Sequence, residues 1–133
     1  MDFPFNRHVL IGDEQDIPLL RLLLASFPAE AVGEVLLELP AAERTLLPNL
    51  PAPSGIGLRH LPRFEEEHPG LAACTALGAW IEEWVLDEHA TAEGHTIFVG
   101  MAHNPLAEQW CEALVERHPR LHMHRPRHLG APL

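Results

Sequence analysis

Five places in this sequence bring together side chains suited to chemistry, and each follows a short apolar run. Gly12-Asp13-Glu14 follows Val9-Leu10-Ile11, Glu38 ends Leu36-Leu37, and Arg59, His60 and Arg63 close a stretch that begins at Ile56. Gly100, Met101, His103 and Asn104 follow Ile97-Phe98-Val99, and His124 and Arg125 follow Leu121. A glycine turn opening onto a helix start exposes backbone N–H groups that can receive a phosphate. Glu38 stands roughly two dozen residues after Gly12, where an acid can hold ribose hydroxyls, although a plain strand-end carboxylate fits the pattern equally well. Arg59 and Arg63 carry the guanidinium fork that meets a 2′-phosphate, but solvent-facing arginines are the ordinary alternative. The first turn has no Gly-x-Gly-x-x-Gly, and its two carboxylates repel a pyrophosphate. His122 and His124 fall on one face of a strand with His128 nearby, yet no carboxylate or cysteine completes a ligand set, so no metal is expected. There is no P-loop, no Gly-x-Ser-x-Gly and no Cys/His nucleophile pattern.

The elements that must position these residues alternate in type. Apolar runs at 8–11, 31–39, 56–61, 96–99 and 121–124 read as strands, the second nearly continuous, as in a sheet covered on both faces. Helical spacing of apolar residues predicts helices from Pro18 to about Phe27, over 71–89 and over 105–117. In the first, Leu20, Leu23, Leu24 and Phe27 point inward, with Asp16 as N-cap and Pro18 in the first turn. In the second, Leu71, Cys74, Leu77, Trp80, Ile81, Trp84 and Val85 form the buried stripe. Asn104 before Pro105 is an N-cap signature for the third. Residues 40–54, rich in proline, are loop-like, with room for one helical turn over 41–47, and 62–70 is an acidic loop. This order predicts an α/β fold, a three-layer sandwich with a five-stranded parallel sheet. In such a sheet ligands gather outside the carboxyl ends of the strands, where the five polar clusters would meet.

Composition narrows the function classes. The chain has 133 residues, 47% of them hydrophobic, and a formal net charge of −10. This suits one domain with a core over 8–124 and a tail over 125–133, and argues against nucleic-acid binding. All nine basic residues are arginines, and Arg117, Arg120, Arg125 and Arg127 crowd the C-terminal region with several histidines. That basic end either neutralises the acidic body or receives an anion. No apolar run approaches the ~20 residues of a membrane span, and no signal-peptide pattern precedes Arg7, so no membrane association and a cytoplasmic location are expected. Cys74 and Cys111 lie in apolar helical patterns and read as buried free thiols.

Val9-Leu10-Ile11-Gly12-Asp13-Glu14, followed by Ile17-Pro18 and a leucine-rich helix, resembles the Gly-Asp-Glu-Thr-Ala-Leu-Pro opening of the C-terminal domain of siderophore-interacting proteins. These are flavin-dependent ferric-siderophore reductases of the ferredoxin-reductase superfamily. Leu36-Leu37-Glu38-Leu39 is similar to the family's second strand, Leu58-Arg59-His60-Leu61-Pro62-Arg63 to its third, and Ile97-Phe98-Val99-Gly100-Met101 stands where the family has Ala-Gly-Glu. Met101 replaces the family's glutamate, the closing Gly-Tyr-Trp-Arg is absent, and the chain starts where the family's flavin barrel would end. The resemblance implies a ferredoxin-reductase NADP-domain-like fold and a module binding NADPH or NADH. It places Gly12, Asp13, Glu14, Glu38, Arg59, Arg63, Gly100, Met101 and His103 around the cofactor. FAD would be reached only through a partner flavin protein, because a flavin takes hydride and passes single electrons to iron. Two other readings stand beside it. One is a non-enzymatic interaction module whose apolar surface is covered by a second copy, as a homodimer, or by another partner. The other is a binder of a ferric siderophore or similar anion through Arg125 and Arg127.

Overall fold

The computed structural model describes residues 7–42, 50–84, 95–118 and 123–125. Its centre is a five-stranded sheet in the order β3-β2-β1-β4-β5. The strands are β1 (Arg7–Asp13), β2 (Val32–Pro40), β3 (Ile56–Arg63), β4 (His95–Val99) and β5 (Met123–His124). Every pairing is parallel, with Ile11 opposite Leu36 on one side and Val99 on the other. Parallel strands need crossovers. Helix α1 (Ile17–Ala25) supplies the first, α2 (Leu71–Trp84) the one from β3 to β4, and α3 (Pro105–Arg117) the last described.

The alternation of side chains along each strand sorts the core into two layers. Val9, Ile11, Leu36, Ile97 and Val99 pack with Cys74, Leu77, Trp80 and Ile81 of α2 and with Ala107, Cys111 and Leu114 of α3. Leu10, Val35, Leu37, Leu39 and Phe98 pack with Leu20 and Leu24 of α1. One helix covers one face and two cover the other, giving the three layers expected. The chain steps from β1 to β2 in one direction and from β3 to β4 and β5 in the other, so right-handed crossovers must lie on opposite faces. Pro62 is tolerated inside β3 because β3 is an edge strand.

Several boundaries differ from the expected ones. β1 extends through Asp13 into a 3-10 turn, Glu14–Asp16, before α1 begins, and α1 stops at Ala25. Asp16 was expected to cap α1 but makes no capping bond there. Asp13 instead caps the preceding 3-10 turn, its side chain accepting from the Gln15 N–H at 3.0 Å. β3 runs on to Arg63 because the whole stretch pairs with β2, Pro40 lying opposite Arg63. Leu71 is exposed rather than part of the α2 stripe, since it opens the helix beyond the sheet's cover. The expected turn at 41–47 and the end of the second helix, including Val85, fall largely or wholly outside the described residues. Among the described residues no helix is long and apolar enough to cross a membrane.

Candidate functional site

The strand order reverses direction between β1 and β4, and a cleft of about 490 Å³ opens at their carboxyl ends. Its wall on the β1 side is Asp13, Glu14, Gln15 and Asp16. On the β4 side stand Met101, Ala102, His103, Asn104, Pro105 and Leu106, and Arg63, His68 and Pro69 close the third side. Asp13, Glu14, Arg63, Met101 and His103 are thus gathered from three separate stretches of chain. Gly12 and Gly100 sit beneath the cleft rather than on its wall.

These glycines make room for Asp16. A Cβ at Gly12 would come within 2.8 Å of the Asp16 side chain, and one at Gly100 within 2.5 Å of its carboxylate. Asp16 is buried in the space they leave, 8% exposed. Its Oδ2 accepts from the Asp13 N–H at 2.9 Å and from the Met101 N–H at 2.8 Å. One oxygen therefore holds the ends of β1 and β4 together, with Gly100 N–H donating to the Ile11 carbonyl at 2.7 Å just below. Met101 takes a left-handed conformation, φ 58°, a costly geometry for a residue with a side chain that the Asp16 bond helps to hold. Burial, then the charge of Asp16, pushes the Asp13 carboxyl up to about 6 against the bond from Gln15, with a hydrogen bond to Asp16 and the charge of Glu14 adding to the rise.

Glu38, expected near ribose hydroxyls, is fully buried. Its Oε2 accepts from the Gly70 N–H at 2.8 Å and from Arg63 Nη1 at 3.0 Å, and its Oε1 from the Ala73 N–H at 2.9 Å. The carboxylate caps the start of α2 across the sheet, supplying acceptors for N–H groups that lack helical partners, and leaves no oxygen exposed to a ligand. Arg59 lies on the outside of β3, its Nη1 3.3 Å from Glu34 Oε1, and does not line the cleft. Arg63 does. Beyond its bond to Glu38, its Nη2 donates to Glu14 Oε2 at 2.9 Å.

The helix starts around the cleft are filled from within. The first turn is occupied by Asp13 and Asp16. At α3, Asn104 Oδ1 accepts from the Ala107 N–H at 2.9 Å while its Nδ2 donates to the Pro69 carbonyl at 2.7 Å. Sequence reasoning found Asn104 from the Asn-Pro pair but missed His68 and Pro69. The topology carried the signal, since the β3–α2 connection must leave from the same edge of the sheet. Arg125, expected to receive an anion, is 5% exposed. It sits close enough to Cys74 for its charge to oppose a thiol shift that burial above all, with Cys111 and Glu38, pushes up to about 12. Arg127, His122 and His128 lie outside the described residues, and among those described no three His, Cys, Asp or Glu side chains are grouped to hold a metal ion.

No protein-family model matches the sequence, and no curated protein does. Solved structures share the fold. A siderophore utilization protein from T. fusca superposes with a TM-score of 0.61 at 18% identity, over 94% of this chain and 46% of its own. The siderophore-interacting protein from Aeromonas hydrophila gives 0.56 at 19% identity, over 92% and 47%. The siderophore-interacting protein from Acinetobacter baumannii gives 0.52 at 16%, over 95% and 50%. The chain spans about half the length of these structures.

Proposed function

We propose that this chain is the pyridine-nucleotide-binding half of a siderophore-interacting type of reductase, taking NADPH or NADH in the cleft above β1 and β4. The observation that carries the reading is the coincidence of the cleft with the point where the strand order reverses, the place at which doubly wound sheets take their ligands. The size of the cleft suits a nucleotide portion. Its residues fit one as well. Arg63, His68 and His103 offer donors for phosphate or ribose oxygens, and Met101, Pro69, Pro105 and Leu106 offer apolar surface for a ring. Asp16 is spent on backbone N–H groups, so the negative charge bearing on a ligand is that of Asp13 and Glu14, the second already paired. A nicotinamide nucleotide held there would supply a hydride, whose two electrons a flavin on a partner protein would pass singly to ferric iron. Arg63 fixes the anionic end, and the walls at Met101 and Pro105 orient the remainder.

Calorimetric titration with NADPH and NADH tests the reading. Binding is expected in the micromolar to millimolar range, with Arg63→Ala weakening it about tenfold through loss of a charge-assisted bond. Absence of heat at millimolar nucleotide would overturn it. One observation favours a second reading, an interaction module that no longer binds nucleotide: Asp13, Glu38 and Asn104 cap from inside the starts of the 3-10 turn, α2 and α3, where a phosphate would be received. Failure of both nucleotides to bind, with a stable complex to a flavin protein or a second copy, is the outcome that reading expects.

A further inference from the structure

The two outer nitrogens of Arg63 are held unequally. Nη1 meets a carboxylate with no solvent exposure, that of Glu38, whereas Nη2 meets Glu14, whose side chain is 40% exposed on the rim of the cleft. Arg63 itself is 16% exposed. Among the described residues Glu14 has no other hydrogen-bond partner. A buried charge pair, once formed, is held by the cost of separating it in a medium of low polarity. An exposed pair is weak, because water and salt compete for both members. The guanidinium therefore has one permanent acceptor and one exchangeable acceptor, and the exchangeable one lies on the side that lines the cleft. A carboxylate accepting from an arginine nitrogen presents the same kind of oxygen, with the same sign of charge, as a phosphate accepting there.

We infer that Glu14 is a built-in competitor for the cleft: its carboxylate holds the place on Arg63 Nη2 that a phosphate group of a ligand takes, and that group enters only as Glu14 swings outward. The choice of a nucleotide as the phosphate carrier rests on the function proposed above; the competition itself does not. The device explains how a turn with two exposed or half-buried acids can stand beside an anion site. The acid that would repel the ligand is neutralised while the cleft is empty and has open solvent on its other side when displaced. It also makes the cleft selective. A neutral acceptor is a weaker partner for Arg63 than the Glu14 carboxylate it must displace, and a single weak carboxylate gains little over Glu14. A phosphate, carrying more charge and more acceptor oxygens, does gain.

The test uses the full chain and Glu14→Gln, which keeps the side chain's size and removes its charge. Two probes are titrated by calorimetry at low salt: inorganic pyrophosphate and NADPH. Glu30→Gln, an exposed change at the opposite end of the sheet, alters net charge equally and serves as the control. Glu14→Gln is expected to bind both probes roughly fivefold more tightly than wild type, the scale of one exposed ion pair plus one relieved repulsion. Glu30→Gln is expected to stay within twofold of wild type. The gain should shrink as salt is raised and vanish in the double variant with Arg63→Gln. Tighter pyrophosphate binding in Glu14→Gln with no NADPH binding in any variant would support the competition and overturn the nucleotide reading. NADPH binding of equal strength in wild type and Glu14→Gln would overturn the competition and leave the nucleotide reading standing. An equal gain in Glu30→Gln would reduce the effect to overall charge and overturn the competition as well. If neither probe binds either form at millimolar concentration, both fall.

Discussion

A carboxyl group that folding makes reluctant to ionise leaves a signature in the pH dependence of stability. Asp13 is such a group. Its carboxyl is pushed from an ordinary 3.8 up to about 6 by burial and by Asp16. The folded state therefore binds the proton more tightly than the unfolded state does, and stability from this group falls as pH rises from about 4 through about 6. Asn at this position stays neutral and still accepts from the Gln15 N–H. Asp13→Asn is expected to melt at the same temperature as wild type near pH 4 and several degrees higher at pH 7.5, as read by thermal unfolding across that range. The sequence showed that acids crowd this turn, but not which of them would be buried. Asp13 and Asp16 have similar neighbours in the chain. What separates their roles is Met101, a contact across 85 positions that no local pattern encodes.

Helices here are anchored by side chains of two origins, and that difference decided which anchors could be read in advance. Asn104 caps α3 from the adjacent position, so Asn-Pro before an apolar periodicity was enough to place it. Glu38 caps α2 from the end of β2, 32 and 35 positions before the N–H groups it serves. In the chain it looks like a ribose-binding acid or a plain strand end, because nothing local distinguishes a carboxylate that will be covered from one that will not. Its truncation tests the structural role. Glu38→Ala strips acceptors from two N–H groups and half of Arg63, and is expected to cost about 3–5 kcal/mol in urea unfolding. Glu38→Gln keeps one acceptor oxygen and is expected to cost about half of that. A loss under about 1 kcal/mol for the alanine variant would contradict the capping role.

The architecture of the whole molecule was the most legible feature, and for a plain reason. A strand buried on both faces must be apolar throughout, and Val9-Leu10-Ile11, Val35-Leu36-Leu37 and Ile97-Phe98-Val99 are so with no gap. A sheet clad in helices on both faces asks for that pattern, and the stretches between the runs are long enough for the crossover helices that parallel pairing needs. The same packing should silence both thiols. Cys74 and Cys111 are buried between the sheet and its two-helix face. With the Cys74 thiol pushed up to about 12, almost none of it is thiolate at pH 8. A chromogenic disulfide reagent is expected to find no fast-reacting thiol in the native protein and two after unfolding in urea. A fast native thiol would mean that the two-helix face opens readily.

Asp16 gives the cleft a mechanical property. Because a single oxygen fastens the amides of Asp13 and Met101, the loops leaving the two central strands cannot drift independently, and the floor between them behaves as a hinge pin rather than as two loose flaps. A pull on one loop is carried to the other through that shared carboxylate, whereas Glu14, on the exposed rim, is tied by its 2.9 Å bond to Arg63.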